Sequence, residues 1–345
     1  MHAEEIQQAV RQVVDSGWYL QGEAVKTFEE RYARYVGRKH CVSCANGLDA
    51  LTLMLRAYIE IGVLHEGDEV IVPANTYIAT ILSITANNLK PVLVEPRFET
   101  LQIDDRLIEQ AITDRTRAIL IVHLYGHQAY TERIENLCRQ RGLLLLEDCA
   151  QGHGLAFHGE AQAHSFYPGK NLGALGDAGA VTTDDDGMAD IIRALGNYGS
   201  SRKYVFPYLG RNSRMDEVQA AVLSVKLRYL DEENNRRRQI ARYYYESIGN
   251  GKVILPYDNL SDNVFHVFPV LCSERDLLQD HLLRQGIQTV IHYPIPPHQQ
   301  KCYGEWNHCS FPITEQIHQQ ELSLPCNQTL TDAEVNAVIE AVNKF

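Results

Sequence analysis

Residues 165–181 read SFYPGKNLGALGDAGAV, and a single lysine, Lys170, stands there among aromatic, proline and glycine neighbours. Ser165, Phe166, Tyr167 and Pro168 come before it, and Gly169, Gly173, Gly176 and Gly179 bracket it. A segment of this kind reads as buried and closely approached by another group. A lysine held in apolar surroundings loses pKa through desolvation, and its neutral amine is then free to attack a carbonyl. The plainer alternative is a lysine that lays its stem on apolar surface and keeps its head in water.

Upstream, LLLLEDCAQGHG (143–154) drives Glu147 and Asp148 to the end of an apolar strand. A carboxylate there is expensive unless it is paired, whether with a cationic ring nitrogen, a metal or an arginine. Gln151 and His153 follow on the exiting loop. Further back, ANGLDAL (45–51) comes directly after the strand-like HCVSC, so Asn46 is placed to cap a helix and Gly47 to let a ligand approach. The free N–H groups and dipole of a helix start suit a phosphate, although an ordinary cap has the same appearance. In PANTYIAT (73–80), Tyr77 falls early in a helix after the strand EVIVP, where its ring either stacks on a flat ligand or packs into the core.

These junctions lie in a repeating pattern. Strands are predicted at 40–44, 69–73, 91–94, 117–124, 142–147 and 179–184, with helices at 47–62, 76–88, 104–112 and 130–141. Apolar strands separated by helices predict an α/β fold with a mostly parallel central sheet, and ligands collect beyond its strands' carboxyl ends. A long helical pattern covers 215–248, and its middle, DEENNRRR, is polar all round, as in a helix that bridges domains. The chain is therefore divided into a large domain, residues 1–230, and a smaller C-terminal α+β domain, residues 231–345. The latter holds a strand-like stretch at 263–272, a helix near 274–286 and a final helix from Thr331.

The 345 residues carry 44 acidic and 32 basic side chains, a net charge of −12, which argues against nucleic acid or an anionic membrane as partner. The apolar runs are too short to span a bilayer. Eight cysteines in so long a chain do not make a disulfide framework and predict a cytoplasmic setting. One CxxC, Cys41 to Cys44, lacks a second ligand pair at zinc spacing, so buried thiols are expected there and no metal. Neither a GxGxxG nor a P-loop is present, which removes the common nucleotide-binding readings. Lysine, strand-end acid, helix-start amides and stacking aromatic are the parts that hold pyridoxal phosphate.

With these residues together, the chain resembles the DegT/DnrJ/EryC1/StrS sugar aminotransferases, a branch of fold-type I pyridoxal-phosphate enzymes. ANGLDALTLMLRA, VPANTYIAT, LEDCAQGHG, SFYPGKNLGALGDAGAV, GRNSRMDEVQAAVLSVKL, IHYPIPPH and LSLP carry the resemblance, in order along nearly the whole chain. It implies that Lys170 binds the cofactor aldehyde, that Asp148 pairs with the pyridine nitrogen, and that Gln151 sits by the 3-hydroxyl with Tyr77 stacked on the ring. Gly47, Leu48 and Ser165 are then the phosphate holders. Asn212 is expected to reach the phosphate of the neighbouring subunit, in a homodimer with shared sites. Tyr167, His292 and Tyr293 are expected to line the hexose pocket.

The resemblance narrows towards transaminases of dTDP-3-keto-6-deoxyhexoses, which would use L-glutamate to give a dTDP-3-amino-3,6-dideoxyhexose. A 4-keto-sugar aminotransferase and a pyridoxal-phosphate-binding regulator without turnover are the alternatives; the related dehydratases lack the lysine. Two features depart from the family. The chain begins inside the first helix, and His164 stands where an apolar residue is common. His298 is a candidate to approach the sugar, and Arg202, Lys203, Arg211 and Arg214 to meet the diphosphate, with a solvated loop as their alternative. His123 and His127 read as structural histidines.

Overall fold

The computed structural model describes residues 1–257 and 260–345. Its principal sheet has seven strands: β1 (His40–Cys44), β2 (Glu69–Pro73), β3 (Lys90–Val94), β4 (Thr116–Val122), β5 (Leu144–Asp148), β6 (Ala161–Ser165) and β7 (Gly179–Thr183). In space they run β1-β7-β6-β5-β4-β2-β3. Pairing is parallel from β3 to β6, while β7 is antiparallel to both β6 and β1.

Strand side chains alternate between two buried faces, which is why the apolar runs are nearly continuous. Val70, Val72, Ala118, Leu120 and Leu146 point to one core, and Ile71, Ile119, Ile121 and Leu145 to another. Helices α1 (Ala3–Ser16) and α2 (Glu23–Val36) open the chain, followed after β1 by α3 (Gly47–Ile61) and, after β2, by α4 (Ile78–Thr85). Next come α5 (Ile108–Ala111), α6 (Glu132–Arg141), α7 (Asp186–Gly196) and α8 (Glu217–Lys226). The first core is covered by α3, α4 and α7, the second by α5 and α6, and a third by α2 and α8.

A short 3₁₀ turn joins α8 to α9 (Leu230–Ser247). Beyond α9 a second, antiparallel sheet of order β10-β9-β8 forms from β8 (Val253–Ile254), β9 (Phe268–Cys272) and β10 (Glu321–Leu324). With α9, the helices α10 (Arg275–Arg284) and α12 (Asp332–Asn343) enclose its own core, and α11 (Pro312–Gln320) leads into β10. Val122, Tyr125, Leu271 and Ile317 pack the second sheet against the carboxyl end of β4. That contact seats the smaller unit over the strand ends. Among the described residues no helix is long and apolar enough to cross a membrane.

Several expectations change. Strand β6 was not foreseen, because AQAHS shows no apolar run. Its polar members instead join a buried chain. The Tyr32 hydroxyl meets His164 Nδ1 (3.0 Å), and His164 Nε2 meets Thr182 Oγ1 (2.9 Å). Thr182 donates to Gln162 Oε1 (3.0 Å), Gln162 donates to Glu147 (3.5 Å), and His123 Nε2 lies 2.7 Å from Glu147. His164 is thus satisfied at both ring nitrogens, and burial holds its pKa far below the usual range, so it is neutral. The helix expected at 104–112 shrinks to the single turn Ile108–Ala111, since Asp104 binds Arg106 and fixes the chain in a turn. Tyr77 caps α4 rather than lying inside it. Within 263–272 only Phe268–Cys272 is strand.

Gly179 on β7 lies beneath the Asn46–Gly47 turn, and a Cβ there would stand 2.3 Å from the Asn46 carbonyl oxygen. Gly179→Ala is expected to lower stability by about 1–3 kcal/mol through this overpacking, as read from urea unfolding.

Candidate active site

The carboxyl ends of the central strands open into a cavity of about 720 Å³. Strand β5 ends on Asp148, which is 5% exposed. Thr80, on the first turn of α4, donates its hydroxyl to Asp148 Oδ2 (2.8 Å), and the Ala150 N–H donates to Oδ1 (3.1 Å). Burial raises the Asp148 pKa, opposed by these two bonds and by the positive charge of Lys170. A carboxylate so placed favours a cation beside it.

Lys170 enters from the loop between β6 and β7, whose course is set by the Lys170 N–H on the Tyr167 carbonyl (2.8 Å). The next side chain, Asn171, donates to Asn234 (2.8 Å) and to the Val264 carbonyl (2.9 Å), anchoring the loop to α9. Burial lowers the Lys170 pKa to about 8, with Asp148 pulling the other way. Amine and acid border the same cavity and attract each other, and no ion pair between them is formed.

Helix α3 begins at the cavity wall. Asn46 accepts from the Asp49 N–H (2.8 Å), while the N–H groups of Gly47 and Leu48 have no partner among the described residues. A Cβ on Gly47 would lie 2.5 Å from Ser165 Cβ, so only glycine keeps this cradle open beside the Ser165 hydroxyl. A 15-residue helix with two free amides and a hydroxyl at its start matches a phosphate. Opposite, the rings of Tyr77 and Tyr293 lie 4.9 Å apart, and Gln151 donates to the Tyr293 hydroxyl (3.1 Å).

Of the residues singled out in the sequence, Gly47, Leu48, Tyr77, Asp148, Gln151, Ser165, Tyr167, Lys170, His292 and Tyr293 all border this cavity. Asn212 does not; it is exposed, on a segment whose backbone pairs with Asn197. His298 is excluded as well, being fully buried with Nε2 3.1 Å from Glu315. In the basic loop, Arg211 is paired with Asp49 (2.9 Å) and Arg214 lies over the Tyr198 ring.

Glu147 points away from the cavity, to His123 and to the N–H groups of His158 and Gly159. Burial opposes ionisation, but the His123 bond and those amides hold the Glu147 pKa below its usual value. Glu147, His123 and Cys149 bring ligand-type atoms within 4.8 Å of one another, with the first two already hydrogen-bonded. Cys41 and Cys44 are buried free thiols.

Thr80 and His266 were not foreseen. Thr80 lay in a quoted motif, but a helical threonine carries no signal of its own. His266 reaches the cavity from the segment before β9, with Nδ1 3.3 Å from Asn171. His153 is fully buried, both ring nitrogens lack a partner among the described residues, and burial lowers its pKa to about 3.

An aldehyde for Lys170, a ring cation for Asp148 and a phosphate for α3 are supplied together by one coenzyme, and the residues fit it. The chain has the architecture of a fold-type I pyridoxal-phosphate-dependent aminotransferase. Residues 1–343 match the DegT/DnrJ/EryC1/StrS aminotransferase family, and the chain belongs to that family. It is 52% identical to the dTDP-3-amino-3,6-dideoxy-alpha-D-galactopyranose transaminase of Aneurinibacillus thermoaerophilus, covering 100% of this chain and 96% of that protein. The crystal structure of S. venezuelae DesV in complex with a ketimine intermediate is 42% identical, with a TM-score of 0.95 over 99% of this chain and 94% of that one. Bacillus subtilis ntda, solved with bound cofactor PMP, is 31% identical, with a TM-score of 0.93 over 99% of this chain and 81% of that one.

Only a neutral amine captures the coenzyme aldehyde. In coenzyme-free protein the capture rate, followed by visible absorbance, is expected to rise with pH through about 8 and then level off. A rate that instead continued to climb up to the pKa of an ordinary lysine would show that burial does not act on Lys170.

Proposed function

We propose that this aminotransferase moves the amino group of L-glutamate to a dTDP-3-keto-6-deoxyhexose, yielding a dTDP-3-amino-3,6-dideoxyhexose. The observation that carries the reading is Lys170 facing Asp148 across a cavity wide enough for a sugar. The likeness to the Aneurinibacillus transaminase supports the choice of sugar.

Pyridoxal phosphate, when bound, supplies an electrophilic aldehyde and a ring that absorbs the electrons of a deprotonated carbon. Lys170 would hold that aldehyde, and its Nζ, neutral near pH 8, is the group that would take and return a proton at the substrate Cα. Asp148 keeps a proton on the ring nitrogen, and Thr80 with the Ala150 N–H aims the carboxylate. A fixed charge of this kind stabilises the transition state without reorganisation. Gly47, Leu48 and Ser165 bind the phosphate, Gln151 the 3-hydroxyl, and Tyr77 covers the ring. Tyr167, His292 and Tyr293 orient the hexose.

The same reading makes the protein a cytoplasmic homodimer that divides at residues 230 and 231. The separate sheet and core beyond α9 support the division. Tyr204, Phe206 and Leu209 are 81%, 58% and 85% exposed, an apolar loop that a partner subunit would cover. Asn212 follows that loop and would be carried to the partner's phosphate.

L-Glutamate added to the holoenzyme is expected to bleach its visible absorbance, and Lys170→Ala to abolish the change while circular dichroism stays the same. Offering 3-keto and 4-keto dTDP-sugars next should give an amino product from the 3-keto sugar alone. Persistent absorbance with glutamate would leave a coenzyme-binding regulator; amination of the 4-keto sugar would move the reaction one carbon along.

A further inference from the structure

Glu321 opens β10 and is fully buried, yet no step above uses it. One of its oxygens accepts the backbone N–H of His292, and Oε1 accepts the hydroxyl of Ser323 (2.6 Å). Ser323 Oγ in turn lies 2.9 Å from His292 Nδ1. The His292 ring borders the same cavity as Lys170. Its carbonyl is held by the Tyr125 hydroxyl, so the residue is fixed from both ends.

Donor and acceptor inventories settle the direction of this chain. An ionised carboxylate only accepts, so the single Ser323 proton goes to Glu321. The Ser323 oxygen must then accept from His292 Nδ1–H. The neutral imidazole is left with a lone pair on Nε2, facing the cavity. Adding one proton reverses every member. Nε2 takes it up, the Nδ1 proton passes to Ser323, and the Ser323 proton passes to Glu321. The imidazole stays neutral, and Nε2 has become a donor.

We propose that Glu321, acting through Ser323, is a positioning residue that decides whether His292 offers the sugar a hydrogen-bond acceptor or a donor. It rests on the reading of the cavity as a sugar site. Burial raises the Glu321 pKa to about 8, opposed by Ser323, the His292 N–H and Arg275 of α10. Tyr125, Tyr257 and Tyr293 also face Glu321, and Lys170 faces His292. Burial, with Lys170, lowers the His292 pKa to about 4, so the ring remains neutral while Glu321 titrates.

The test uses full-length, coenzyme-loaded protein with ¹⁵N-labelled histidine, the His292 signals being identified by their loss in His292→Gln. In the parent, Nε2 is expected to change from protonated to bare as pH rises from about 6 to 9.5. In Glu321→Gln the amide N–H donates to Ser323 and Nε2 should stay protonated throughout; Ser323→Ala should remove the pH dependence. A parent tautomer that ignores pH, or one unaltered in Glu321→Gln, overturns the proposal.

Stability gives a second reading. A carboxyl whose folded pKa is raised binds an extra proton when folded, so its contribution is full below the unfolded pKa of about 4.3 and is lost as pH rises through the folded value. The parent Tm should therefore fall relative to that of Glu321→Gln as pH rises from about 4.3 to about 8, and the difference should level off above that. Above that pH, where parent and variant present opposite forms of His292, KM for the keto-sugar should differ about 5-fold between the parent and Glu321→Gln, the worth of one hydrogen bond, with the glutamate half-reaction unchanged. Equal losses in both half-reactions would sink the positioning role. Should no keto-sugar be aminated even by the parent, the substrate reading fails while the tautomer measurement still decides the role of Glu321.

Discussion

A carboxylate taken out of water at the end of a β-strand constrains everything around it. Asp148 is carried to that position by β5, whose leucines are buried on both sides, and the fold has to supply what water no longer does. It does so from three places: a hydroxyl from α4, an amide from the next loop, and an amine across the cavity. None of these neutralises the acid by direct contact. A buried carboxylate arranged in this way favours a cation beside it, as the proposed coenzyme ring would supply.

The remaining parts follow from strand direction. Parallel strands end on the same edge, so the turns after β1, β2, β5 and β6 converge there although they lie far apart in sequence. The antiparallel β7 brings Gly179 back beneath the Asn46–Gly47 turn, and its lack of a side chain lets that turn sit low against Ser165. The second sheet is joined to the end of β4 by the apolar cluster that holds Val122, Tyr125 and Leu271. His266, His292 and Tyr293 thus reach a cavity founded by residues more than a hundred positions earlier.

How much of this could be read in the sequence depended on how exceptional each residue was in its surroundings. Lys170 among glycines and aromatics, and Asp148 behind four leucines, violate the usual polarity of their neighbourhoods and so announce themselves. Strand β6 gave no such sign, because two small alanines alternate there with a buried glutamine and histidine, whose burial makes sense only once their partners are known. Thr80 and Glu321 were hidden for the same reason. Their roles come from contacts 68 and 29 residues away, which no local pattern encodes. His298 erred in the opposite direction: its place in a proline-rich loop suggested an approach to the sugar, but the 3₁₀ turn at Pro297–Gln299 carries it into the interior.

The buried chain from Tyr32 to His123 restricts how this protein can evolve. Its members are joined donor to acceptor and the chain ends on the accepting carboxylate of Glu147, so an apolar replacement within it strands a neighbour inside the core. Descendants of this sequence should therefore exchange these positions in concert or keep them all. A histidine that looks anomalous alone marks a lineage that committed to the whole set.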